Sequence, residues 1–169
     1  MRGGIWVVSV LGAVWGAVAL FGLGAPRGTL AASVLIAASI LFICSRAPGR
    51  ATPPEVDPRR ASRSVAIWSV AEGVAILVAV NGLNNVGVPR LIAPAVAAII
   101  GLHFLPLAVP LGLRVYYGLG AALIALGLGA TLLPASWPLI VAATGSALLL
   151  WSTALLIAFN SPRATTSQA

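Results

Sequence analysis

The sequence predicts an all-α bundle of six membrane-crossing helices. Three observations carry that expectation. The 169-residue chain is 60% hydrophobic and 8% charged, with a mean hydropathy of +1.05, whereas a soluble domain carries about 25% charged residues. Its length divides into six apolar runs, each near the roughly 20 residues that cross a bilayer. The few charges are gathered in loops and at run ends.

The runs are bounded by residues that stop helices. The first spans 5–24 and ends at Ala25-Pro26-Arg27-Gly28, where Pro stops the helix and Gly tolerates the turn. One Arg followed by about 20 apolar residues exceeds the 7–15 of a signal peptide, so this run is read as retained. The second, 29–44, is the shortest. The segment 45–63 follows, with four prolines and five arginines among its residues, and is expected to be an extended cytoplasmic loop. The third run, 64–83, ends at Asn81-Gly82, Asn84-Asn85, Gly87 and Pro89. The fourth covers 90–111, the fifth 113–133 and the sixth 137–159, with Pro134 and Pro138 flanking the last turn. Residues 1–159 form one bundle, and 160–169 a flexible polar tail. The turns after the first and third runs are alike, Gly-Leu-Gly-Ala-Pro-Arg against Gly87-Val88-Pro89-Arg90. Three parallel hairpins would account for that; self-similar Ala/Leu/Gly/Val sequence would do so too.

A net charge of +7 and a pI of 11.6 invite a nucleic-acid reading. The distribution excludes it. All ten basic residues are Arg, and they lie in loops rather than on one face. With the N-terminus inside, Arg2, Arg46, Arg50, Arg59, Arg60, Arg63, Arg114 and Arg163 are cytoplasmic, and Arg27 and Arg90 are outside. Eight against two places both termini on the cytoplasmic side of the membrane. Arg60 and Arg63 anchor the third run at the headgroups. Trp6, Trp68, Trp137, Tyr116 and Tyr117 fall near run ends, as interfacial aromatics do. Small residues four apart, Gly12/Gly16, Ala121/Ala125/Gly129 and Ala143/Ala147, allow close packing of backbones.

Chemistry is sparse. The lone Cys44 has no disulfide or metal-type spacing and reads as a small buried apolar residue. No hydrolase, P-loop or haem-attachment motif is present, no cofactor is expected, and an enzyme is disfavoured. Two residues stand out. Glu72 is the only acid outside the central segment, and His103 is the only histidine. Such groups are costly at membrane depth and are functional candidates by default. Glu72 lies about 12 Å from the inner end of its run, and His103 about 10 Å from the inside of a core roughly 30 Å thick. The two fall in one layer, on neighbouring antiparallel runs, and the same count brings Ser152 and Thr153 near it. The pair can hold or pass a proton, bind a polar solute or cation, or serve only as a hydrogen bond fixing the register of two helices.

Pro106 and Pro110 interrupt the fourth run, which also holds Pro94. Each removes a ladder hydrogen bond, freeing the carbonyls of Leu102 and Pro106, either as part of a site or as a kink that shapes the bundle. Asn81, Asn84 and Asn85 cap the third run or line an outer vestibule.

The stretch Gly101-Leu102-His103-Phe104-Leu105-Pro106-Leu107-Ala108, followed by Tyr116-Tyr117, resembles a group of uncharacterised small bacterial multi-pass membrane proteins with a His-Phe-x-Pro-Leu-Ala motif. The resemblance covers about 20 residues, implies a bundle of about six helices and supplies no activity. The expectation is a small inner-membrane protein for transport or ligand binding around Glu72 and His103. Its partners are the bilayer and a polar solute, cation or proton. The alternative is an accessory or structural subunit of a larger membrane complex, in a homo-oligomer or with another membrane protein.

Overall fold

Glycine, proline and one aspartate decide where the helices begin and stop. The computed structural model describes residues 2–46, 57–134 and 137–159. Among them are six α-helices and no strand: α1 (Arg2–Gly22), α2 (Leu30–Arg46), α3 (Pro58–Asn85), α4 (Ile92–Leu107), α5 (Val115–Ala130) and α6 (Trp137–Phe159). Most of the expected loop 45–63 and all of the tail 160–169 lie outside the described residues.

The end of that loop is helical, contrary to expectation. Asp57 caps α3, its carboxylate accepting from the Arg59 amide at 2.9 Å, and Pro58 occupies the first turn. An Asp cap removes an orphan donor, and Pro is preorganised for the first helical position. The helix therefore starts six residues before Ser64 and runs for 28.

The turns after α1 and α3 are built alike. Gly24 (φ 68°) and Gly87 (φ 74°) adopt the left-handed conformation. Their amides bond to the carbonyls of Phe21 and Asn84, and the next amides, of Ala25 and Val88, reach back to Leu20 and Leu83. This pair of hydrogen bonds satisfies carbonyls in the last turn of each helix. A single 3-10 turn follows in both, Arg27–Thr29 and Pro89–Leu91. The turn after α5 has no such glycine, so the likeness belongs to the first two hairpins and not to all three.

The fourth and fifth helices are shorter than their apolar runs. α4 ends at Leu107, not Leu111: Pro106 interrupts its last turn, and Pro110 lacks the amide that would bond the Pro106 carbonyl. Gly112 (φ 63°) closes the turn, with Leu113 bonding back to Ala108. Four helices, α1, α3, α4 extended by its leading 3-10 turn, and α6, are long and apolar enough to cross a membrane. α2, with 17 residues, and α5, with 16, are shorter apolar helices, about 24–26 Å at 1.5 Å per residue.

Two helices occupy the middle. α6 packs on α1, α2, α4 and α5, and α4 packs on α3, α5 and α6. The most extensive seams are α4–α5 and α1–α6, so the bundle is not three self-contained hairpins. Small residues make those seams. A Cβ on Gly101 would stand 2.7 Å from the Gly120 carbonyl oxygen, one on Gly120 would meet that of Gly101 at the same distance, and one on Gly127 would lie 2.5 Å from the Pro94 oxygen. Gly12 and Gly16 accommodate Trp151, whose Nε1 donates to the Ser9 carbonyl at 3.4 Å. Ala143 and Ala147 are also buried. The expected α5 stripe is on the wrong face: Ala121, Ala125 and Gly129 are exposed, while Gly120, Leu123 and Gly127 are buried.

α3 differs from the rest. Its one extensive helix partner is α4, and from Ala61 to Asn85 only Ala61, at the start, is buried, against 33–44% of the apolar windows of the other three long helices.

Candidate functional site

The α3–α4 seam holds the two candidates together. Counted from the turn, Glu72 is 14 residues before Val86 and His103 is 12 residues after Leu91, which is about 21 and 18 Å along their helices. Equal depth alone does not make them face each other, but they do. His103 Nδ1 lies 3.5 Å from Glu72 Oε2. The same nitrogen is 3.1 Å from the backbone oxygen of Trp68, one turn earlier on α3. The side chains are 10% and 19% exposed, so the pair is sheltered and not sealed.

The surroundings are apolar and rigid on one side. The Phe104 ring meets His103 edge-on at 5.8 Å and Tyr116 at 4.9 Å. Tyr116 is buried. That corrects its assignment to the interface: the start of α5 folds under α4 rather than out of the bundle. Trp6, Trp68, Trp137 and Tyr117 are exposed. Leu102 and Trp68, which flank the pair, are exposed, and Ile76 leans on the core.

The other expected residues do not join this seam. Ser152 is exposed on α6, while its neighbour Thr153 is buried; a depth count cannot tell which side of a helix a residue occupies. Asn81 donates from its amide to the Leu77 carbonyl of its own helix at 2.8 Å. Asn84 supplies a carbonyl to the α3 cap, and Asn84 and Asn85 are exposed. Pro106 lies inside the last turn of α4, three residues after His103. Pro110 lies beyond the helix, in the turn, and offers no amide to the Pro106 carbonyl in the last turn of α4.

Three features escaped the sequence reading. The Trp68 carbonyl is a backbone group, and no residue type advertises it. Gly120 and Gly127 are seven apart, a helical repeat that marks one face, and that spacing was available. Ser9 and Ser146 have buried hydroxyls without a hydrogen-bond partner among the described residues, on α1 and α6. Serine is too ordinary in apolar helices to signal this.

Among the described residues no third His, Cys, Asp or Glu joins the pair to make a metal-type cluster. One imidazole and one carboxylate can exchange a proton, accept a polar hydrogen or balance a cation. Comparison with protein-family models, curated proteins and solved structures gave no match.

Proposed function

We propose that this is a six-span protein of a bacterial inner membrane, of the kind its His-Phe-x-Pro-Leu-Ala stretch resembles. In this reading it transports or binds a proton, cation or small polar solute at the Glu72–His103 seam. The single observation that carries the reading is the 3.5 Å contact between its only histidine and its only apolar-run acid. An unpaired ionisable group in hydrocarbon is costly, and polar groups retained there usually mark ion or solute paths.

The membrane assignment draws on the surface. Large apolar side chains such as Phe21, Val70, Leu77, Leu132 and Leu148 are exposed, while buried positions favour Ala and Gly. Water penalises such a surface; lipid does not, and there small residues drive helix association. α2, with 17 residues, spans at the lower end of the roughly 17–25-residue range of crossing helices, and α5, with 16, reaches it with its flanking turns. Both termini are cytoplasmic by the distribution of Arg.

The test is flux in proteoliposomes. A pH or cation gradient should be dissipated by the native protein and not by Glu72→Gln. No flux and no ligand-dependent melting would remove the reading. For topology, a cysteine at Ala51 in a Cys44→Ala background should resist impermeant reagent in intact cells; labelling would invert the orientation.

A second reading has its own observation. α3 has no buried residue from 62 to 85 and has one extensive helix partner, as would suit an accessory subunit docking on another membrane protein. Stoichiometric co-purification of one partner, lost with bulky polar changes at Val70 and Val74, would favour it.

A further inference from the structure

The hydrogen-bond partner of His103 determines which of its atoms can do chemistry. A backbone carbonyl only accepts, so a contact between Nδ1 and the Trp68 oxygen at 3.1 Å needs a proton on Nδ1. The same N–H points near Glu72 Oε2, 3.5 Å away, so both neighbours favour a proton there. Nε2, on the far edge of the ring, has no hydrogen-bond partner among the described residues.

We propose that His103 is held as its Nδ1–H tautomer by the Trp68 carbonyl, and that Nε2 is the atom at which this site gains and loses a proton. The proposal deepens the proton and solute reading above and rests on it. The two ends of the ring have separate tasks. Nδ1–H ties α4 to the backbone of α3 in both charge states. Nε2 is a hydrogen-bond acceptor when the ring is neutral and a donor when it is charged, so a proton or a polar solute meets the site there. Uptake forms one N–H bond from the Nε2 lone pair as the bond between the proton and its donor, hydronium or a protonated solute, breaks and leaves its electron pair on the donor. The resulting imidazolium faces the Glu72 carboxylate, which balances its charge without taking the proton.

Other titratable groups around α4 leave the assignment intact. On α5 these are Tyr116, which packs on Phe104, and the exposed Tyr117. Arg90 lies in the turn before α4, about 18–20 Å away along the helix. α6 carries no titratable side chain.

Having one histidine makes the experiment direct. Nitrogen-15 NMR of the histidine-labelled full chain in lipid nanodiscs, between about pH 5 and 9, reads both ring nitrogens. The neutral form should show a protonated Nδ1 and an unprotonated Nε2, and only the Nε2 signal should move to a protonated shift as pH falls. A neutral Nε2–H form, or a ring that does not titrate, would overturn the proposal. Two variants supply an independent arm. An Asn amide reaches the place of Nδ1, and a Gln amide that of Nε2. His103→Asn should melt with the native protein, while His103→Gln should melt about 2–4 °C lower, the shift of one lost hydrogen bond. Equal or reversed effects would remove the tether. Proteoliposome flux separates the two claims: no flux with the expected tautomer sinks transport and keeps the assignment, and flux with the opposite tautomer does the reverse.

Discussion

The two sides of α4 are held by different physics. Toward α5 the contact is backbone against backbone, with Gly101, Gly120 and Gly127 leaving no room for a Cβ. Toward α3 it is a narrow stripe with one polar link, from His103 to the Trp68 carbonyl and Glu72. Close-packed interfaces tolerate little change in shape, whereas a polar link depends on protonation and hydrogen bonding. The first seam holds the bundle together. The second leaves α3 as the element whose position chemistry can alter.

Substitutions on the two seams should separate in that order. Gly127→Val places a side chain into the Pro94 backbone and should cost about 3 kcal/mol or more, at the upper end of overpacking. Its signature is a broadened detergent gel-filtration profile and a collapsed melt. A native-like melt would mean that α4 and α5 can part cheaply, erasing the contrast between the seams.

The polar link should be worth less. Glu72→Gln and His103→Gln are each expected to cost about 1–2 kcal/mol, since these largely covered polar groups lose a partner without being fully buried. Their coupling in a double-mutant cycle should exceed about 0.5 kcal/mol. Additivity within that margin would mean that the 3.5 Å approach carries no energy and that each residue acts alone.

Pro106→Ala sharpens the comparison from the middle. It restores one donor at the end of α4, and should change stability by under about 1 kcal/mol while the response to a pH gradient persists. Loss of the gradient response with an intact melt would bring the Leu102 carbonyl into the site. The smallest effect is expected at Ala125→Leu. This residue lies on the exposed face of α5, and the change should stay within about 0.5 kcal/mol. A large loss there would show that a partner covers the face.

The contrast with Gly127, two residues away, also marks where reading the sequence stops. Hydropathy and turn residues located all six helices, and α6 falls at its expected ends. Ends set by side-chain capping were less legible: the Pro-Arg composition of 58–63 argued for a loop, but the Asp57 cap recruits those residues into α3.

Periodicity failed on α5, where two faces both carry small residues four or seven apart. Only the approach of α4 selects Gly120 and Gly127 over Ala121, Ala125 and Gly129. Glu72 and His103 were legible as candidates because ionisable groups are rare in apolar runs. Their common depth followed from counting 1.5 Å per residue along two antiparallel helices. That they meet, that Ser152 does not join them and that Trp68 contributes its carbonyl were decided by the rotation of each helix about its axis. That rotation is set by which side chains of neighbouring helices interlock, a property of pairs of helices that no single run encodes.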